Sequence, residues 1–301
     1  MEIPRDFARS TREIFGAAGA AWLERLPALV DECAQRWSLE MQPPFLPLSI
    51  NYVAPAVRAG GTEVVLKLGV PNKELTCEID ALRLYAGDGC ARLLDADAER
   101  GILLLERILP GTPLSDVTDD QEATAIAAQV MCRLWRPAPA EHRFPTVARW
   151  AAGLQRLHAQ FGGGTGPFPA ATIARAEGLF AELIASSTED MLLHGDFHHW
   201  NVLAAGREPW LALDPKGIVG DPGYEVGPWI ANRIPDDMDA ATARRSMARL
   251  LDQLAEALPY DRARLRSWAL AQFVLSAWWS YEDHGYGWEP TIAKAEVLAN
   301  A

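Results

Sequence analysis

Leu193-His194-Gly195-Asp196-Phe197-His198-His199-Trp200-Asn201-Val202-Leu203 sets a short polar segment between two apolar runs. A second apolar run, Trp210-Leu211-Ala212-Leu213, ends in Asp214. Apolar runs of strand length read as β-strands, so Asp196 and Asn201 fall on a loop and Asp214 at a strand end. A chain folded this way brings two carboxylates and an amide oxygen to one spot. These are hard oxygen donors of the kind that suit magnesium. Phosphoryl transfer requires little more of a protein than a carboxylate near the acceptor hydroxyl and oxygen ligands for the metal.

The rest of the pattern divides near Leu109-Pro110-Gly111. Residues 5–39 have helical spacing, with Pro27 suiting the first turn of the helix that carries Val30, Cys33 and Trp37. Met41-Gln42-Pro43-Pro44 stops it. Strands are expected over 48–53, 63–68, 91–95 and 101–106. A helix over 72–85 shows Leu75, Ile79 and Leu82 on one face. That order predicts an antiparallel sheet with one inserted helix. Beyond Gly111, helices are expected over 119–136, 144–160, 170–186, 239–257 and 261–281, with a β-like island at 191–218. The glycines of 162–166 neither follow a strand nor match a phosphate-loop spacing, so they read as a linker.

With 28 Lys+Arg against 40 Asp+Glu, the net charge of -12 argues against a non-specific nucleic-acid binder or an anionic-membrane binder. It is compatible with a cationic substrate. Cys33, Cys77, Cys90 and Cys132 form no C-x-x-C pair and read as buried thiols in a reducing compartment. The N-terminus is charged at once, and no long uninterrupted apolar run occurs. The expectation is a soluble cytoplasmic protein.

The strand Val64-Val65-Leu66-Lys67 ends in a lysine, and Glu78 follows eleven residues later in the inserted helix. A lysine that contacts nucleotide phosphates is held by such a glutamate. Glu74, one turn earlier, is the competing partner.

His-Gly-Asp followed by four residues and Asn, then Leu213-Asp214-Pro215-Lys216-Gly217 and Gly220-Asp221-Pro222-Gly223-Tyr224-Glu225, resembles the aminoglycoside phosphotransferases. The likeness is to the branch of streptomycin 6-phosphotransferases and hydroxyurea phosphotransferases, and Glu78-Ile79-Asp80-Ala81-Leu82 resembles the family's Glu-x-x-Ala-Leu run. The resemblance implies an α+β, protein-kinase-like two-lobed fold, with an antiparallel-sheet lobe over 1–108 and a mainly helical lobe over 109–301. It implies transfer of the γ-phosphoryl of ATP, with GTP the alternative donor, to a small-molecule hydroxyl. Asp196 is then the base, Asn201 and Asp214 hold magnesium, and Lys67 braced by Glu78 holds the α- and β-phosphates. Backbone groups of Glu106, Arg107 and Ile108 would meet an adenine edge. The turn at 50–54 has no glycine, unlike the phosphate-covering loop of protein kinases.

His194 is expected to order the loop, and His198 and His199 are not expected to bind magnesium, which prefers oxygen. Asp221, Glu225, Glu282 and Asp283 are the candidates to grip a guanidinium or ammonium group of the acceptor. Trp268, Phe273, Trp278, Trp279 and Tyr281 share one late helix and are expected mostly in the core. Trp200, Trp229 and Trp288 suit a sugar site or packing. Hydroxyurea, an amino sugar or another metabolite is the alternative acceptor. A regulatory pseudokinase would have lost Lys67, Asp196, Asn201 or Asp214, and all four are present.

Overall fold

In the computed structural model, which describes residues 3–301, the first helix α1 (Arg5–Trp37) runs through Pro27 and breaks instead at Gly16. Gly16 has φ 56° and ψ -132°, a conformation open to glycine. Pro27 removes one helical hydrogen bond. Leu26, Leu29, Val30 and Cys33 around it are buried, and that packing keeps the helix continuous.

The chain divides into two compact units, the first ending at Gly111 and the second beginning at Thr112. In the first, β1 (Leu39–Met41), β2 (Tyr52–Arg58) and β3 (Glu63–Leu68) precede α2 (Lys73–Tyr85), and β4 (Leu93–Asp97) and β5 (Ile102–Glu106) follow it. All pairings are antiparallel, in the order β1-β2-β3-β5-β4. Strand β2 starts at Tyr52 and not at Leu48, because its partner β3 ends at Leu68, opposite Tyr52. α1 covers one sheet face, packing Trp22, Leu26 and Val30 with Tyr52, Leu66, Leu68 and Ile102. Asn72 caps α2 by accepting the N–H of Leu75 at 2.9 Å.

A short strand β6 (Pro110–Pro113) spans the junction. The second unit continues with α3 (Asp120–Leu134), β7 (Arg136–Pro137), α4 (Val147–Ala151), α5 (Gly153–Gln160) and α6 (Ala170–Ala185). Next come β8 (Met191–Leu193), β9 (Val202–Ala205), β10 (Trp210–Ala212) and β11 (Ile218–Gly220). α7 (Val226–Arg233), α8 (Ala240–Ala257), α9 (Arg262–His284) and α10 (Glu289–Leu298) complete it. α7 and α10 lie outside the helices expected from the sequence, and the helix expected over 144–160 is two. The division falls at Gly153, where an added β-carbon would lie 3.2 Å from Leu275 Cδ1, so α5 approaches α9 closely. From Leu265 to Trp278 nearly every residue of α9 is buried, and α6, α7, α8 and α10 pack on it.

Two antiparallel pairs position the polar loops. β8 pairs with β11, Leu193 opposite Ile218, and β9 pairs with β10, Val202 opposite Ala212. Loops 194–201 and 213–217 therefore leave the same end of these strands. Among the described residues no helix is long and apolar enough to cross a membrane. Cys33, Cys77 and Cys90 are buried, but Cys132, on the outer face of α3, is exposed.

Gly101 supplies a test of the first unit. It has φ 70°, and an added β-carbon would lie 2.1 Å from the carbonyl oxygen of Gly69, a backbone atom that cannot step aside. Gly60 has φ 107° with open space around it. Gly101→Ala should destabilise by about 2–4 kcal/mol and Gly60→Ala by about 1 kcal/mol. Denaturant unfolding of the two variants checks the difference.

Candidate active site

Loop 194–201 is rich in aromatic side chains, and its backbone is fixed by a carboxylate from outside. Glu225 is fully buried, and its two oxygens accept the N–H of His194 at 3.0 Å and of Gly195 at 2.8 Å. Burial, offset in part by these two N–H groups, pushes its carboxyl up to about 7. Gly195, at φ 87°, lets the chain turn between the two bonds; a β-carbon there would meet Ile218 Cγ2 at 2.9 Å. Phe197 points inward, fully buried, against the rings of His194 and Trp229. That leaves Asp196 facing outward, its side chain 40% exposed.

His194 joins this loop to the next. Its Nε2 lies 2.8 Å from the carbonyl of Leu213, and its Nδ1 lies 3.2 Å from the N–H of Asp196. The carbonyl must accept and the N–H must donate, so the ring is neutral, with its proton on Nε2. Burial lowers its pKa to about 4, in accord with that tautomer. The carbonyl of His194 accepts the N–H groups of Lys216 at 2.7 Å and Gly217 at 3.2 Å. Leu213 N–H in turn donates to Asn201 O at 2.9 Å. The two loops are thus stitched on both sides of Asp214. Asp214 itself takes φ 58°, a region costly for a residue with a side chain.

Asn201 donates through Nδ2 to the carbonyl of Asp196 at 3.1 Å and lies 3.2 Å from His198 Nε2. Both contacts use the amide nitrogen, which fixes the side chain and reserves Oδ1 as an acceptor. His198 Nε2 is 3.8 Å from Asp196 Oδ1, and burial lowers its pKa, so its ring is neutral beside the carboxylate. One carboxylate, one amide oxygen and the outward Asp196 are oxygen donors of the type magnesium takes.

In the first unit, Lys67 on β3 donates to both oxygens of Glu78 on α2, at 2.7 and 2.8 Å, with both side chains buried. Glu106 N–H bonds the carbonyl of Arg92 at 3.0 Å, and its carboxylate accepts the Arg92 N–H at 2.8 Å, so that N–H is not open to an adenine. The Arg107 guanidinium reaches Glu63 at 2.9 Å and Gln42 at 3.3 Å, and Ile108 is half-buried.

The four expected acceptor carboxylates separate. Glu225 is inside, its carboxylate turned to the loop backbone. Asp221 is 5% exposed, bonds Arg264, caps its own turn at Gly223, and follows Gly220, which pairs with Met191 at the strand end remote from Asp196. Its carboxylate is thus occupied by Arg264 and Gly223. Glu282 is held by Arg156, and Asp283 is exposed at the end of α9. Of the tryptophans weighed for a sugar site, Trp229 is fully buried, Trp288 half-buried and Trp200 56% exposed.

Opposed titrations make the site's stability pH-dependent. His194 and His199 are both lowered to about 4, chiefly by burial, from 6.5. Their neutral forms stabilise the fold fully above pH 6.5, and that contribution is lost as pH falls toward 4. Glu225, raised from 4.5, contributes oppositely: its stabilisation is present below pH 4.5 and lost as pH rises through about 7. Unfolding free energy should therefore decline from pH 6.5 to 4.5. In Glu225→Gln, itself less stable, the decline should be steeper because the opposing group is gone. Urea unfolding of both proteins across this range measures it.

The description aminoglycoside/hydroxyurea antibiotic resistance kinase belongs to a family model that matches residues 37–284. The chain is 36% identical over 312 residues to a streptomycin 6-kinase of Streptomyces griseus, covering 99% of this chain and 97% of the relative. It is also 36% identical over 301 residues to a hydroxyurea phosphotransferase of Kitasatospora aureofaciens, covering 99% and 86%. Among solved structures, a choline/ethanolamine kinase family protein from Mesorhizobium loti superposes with TM-score 0.65 at 16% identity, over 91% of this chain and 95% of that one. A macrolide 2'-phosphotransferase from Brachybacterium faecium does so with TM-score 0.59 at 18% identity, over 92% and 99%. At such identities the likeness is one of fold, and the fold is protein-kinase-like. The chain is a small-molecule kinase and belongs to the aminoglycoside/hydroxyurea antibiotic resistance kinase family.

Proposed function

We propose that this kinase transfers the γ-phosphoryl group of ATP to a hydroxyl of a streptomycin-like aminoglycoside. The observation that carries the reading is the 36% identity to a streptomycin 6-kinase along almost the whole of both chains. Asp196, exposed on a loop that Glu225 and His194 hold rigid, accepts or orients the proton of the attacking hydroxyl. Lys67, braced by Glu78, holds the α- and β-phosphates. Asn201 through Oδ1 and Asp214 would hold magnesium, and this small set suits an ion that is shared with nucleotide phosphates. Bound there, the metal would supply charge neutralisation to the nucleotide phosphates. GTP is the second donor to test. The acceptor we propose is cationic, in keeping with the net charge of -12. A cytoplasmic setting, where ATP is at hand, goes with this reading.

Equal identity to a hydroxyurea phosphotransferase supports a second reading, in which hydroxyurea is the acceptor. Acceptor-dependent ADP release across streptomycin, other aminoglycosides, amino sugars and hydroxyurea separates the two. The first reading expects streptomycin to give the highest kcat/KM, and a preference for hydroxyurea would replace it with the second.

Asp196→Asn should fold and bind nucleotide as before while turnover falls by about 10²–10⁴. Near-normal turnover in the folded variant would remove Asp196 as the base. Asp214→Ala should lose magnesium-dependent nucleotide binding in calorimetry, and unchanged affinity would move the metal elsewhere.

A further inference from the structure

Trp279 sits on the same helix as Trp268 and Trp278, yet those two are fully buried while Trp279 is only half-buried. Its partner Trp150, at the end of α4, is half-buried too. The two indoles stand almost perpendicular, 87° apart with centroids separated by 5.2 Å, and form a corner. Cη2 of Trp150 lies 3.2 Å from the place a β-carbon would occupy at Gly195, the residue before Asp196. Trp150 is steadied from below by the buried Tyr224, edge to face at 6.0 Å. One wall of the corner therefore abuts the loop that presents the proposed base.

The other wall leads to charge. Glu282 and Asp283 follow Trp279 by three and four positions, so they share its helix face. Arg156 grips Glu282 through two nitrogens, each at 2.7 Å. Two carboxylates against one guanidinium leave a single net negative charge at that end. An indole face attracts cations and stacks on the C–H face of a sugar-like ring, and a carboxylate pairs with a guanidinium or ammonium. Both indoles stay partly exposed, and Trp150 adjoins the loop that carries Asp196.

We propose that Trp150 and Trp279 are specificity-determining residues that stack the acceptor ring, with its cationic substituent directed toward Glu282 and Asp283. The acceptor class is a polyhydroxylated ring bearing a guanidinium or ammonium group. This deepens the kinase reading above and rests on it.

Trp279→Leu and Trp279→Phe test it with streptomycin as acceptor. Leucine fills the space without an aromatic face; phenylalanine restores the face. Trp279→Leu should raise the KM for streptomycin about tenfold, equivalent to about 1.4 kcal/mol, with kcat and the KM for ATP changed less than about twofold. Trp279→Phe should recover most of the loss. Calorimetry of streptomycin binding to the nucleotide-free variants should follow the same order. If wild type phosphorylates streptomycin and Trp279→Leu keeps its KM within about twofold, this inference falls and the kinase reading stands. If Leu and Phe are equally impaired, the role is packing and the inference also falls. If wild type does not phosphorylate streptomycin, the reading beneath it fails, and the inference with it.

Discussion

One buried carboxylate carries the shape of the site. Glu225 accepts two consecutive backbone N–H groups, those of His194 and Gly195. Burying an ionised carboxylate is expensive, and hydrogen bonds offset part of the lost hydration. Here that partial offset comes from the backbone of the loop that carries Asp196. Because the bonds go to backbone, the hold does not depend on the loop's own side chains, which leaves Asp196 to face outward. Glu225 also starts α7, and Trp229 one turn further on meets Phe197 from below. One element therefore pins the loop by its amides and by its aromatic anchor.

His194 extends that hold to the second loop. A neutral imidazole can donate at one nitrogen and accept at the other, and His194 does both, between Leu213 O and Asp196 N–H. Protonating it would put two donors where one partner is itself a donor. The stitch between the Asp196-bearing and Asp214-bearing loops thus requires the uncharged ring. Phosphoryl transfer depends mainly on positioning, and a network fastened through backbone groups provides that rigidity. In the first unit the Lys67–Glu78 pair is likewise buried and doubly bonded.

The residues proposed to carry the chemistry stand out in the sequence because they interrupt apolar strands: Asp196, Asn201 and Asp214 are polar punctuation in hydrophobic runs, and Lys67 ends one. The α+β order and most elements followed from the same periodicities. What supports the site was less legible. Glu225 lies in Gly220-Asp221-Pro222-Gly223-Tyr224-Glu225, a run that carries the family resemblance and offers Glu225 as a candidate to grip the acceptor. Only the tertiary fold reveals that its carboxylate points inward, since a short 3-10 turn has no face periodicity to expose it. Asp221, four positions earlier, bonds Arg264 instead. α7 was missed because Gly227 and Pro228 lie in its first turn. Trp279 resembles its buried neighbours because the middle of α9 is apolar nearly all round, and such a stretch does not disclose which residue reaches the rim.

The claim at the centre of this account is that the Glu225 carboxylate holds the loop carrying Asp196. Amide hydrogen exchange at His194 and Gly195, compared between wild type and Glu225→Gln at one pH, tests it most directly. A glutamine offers one acceptor oxygen in place of two, so protection at these amides should drop well below wild type while protection in β3 and α2 of the first unit is retained. Equal protection of His194 and Gly195 in the two proteins would contradict the claim.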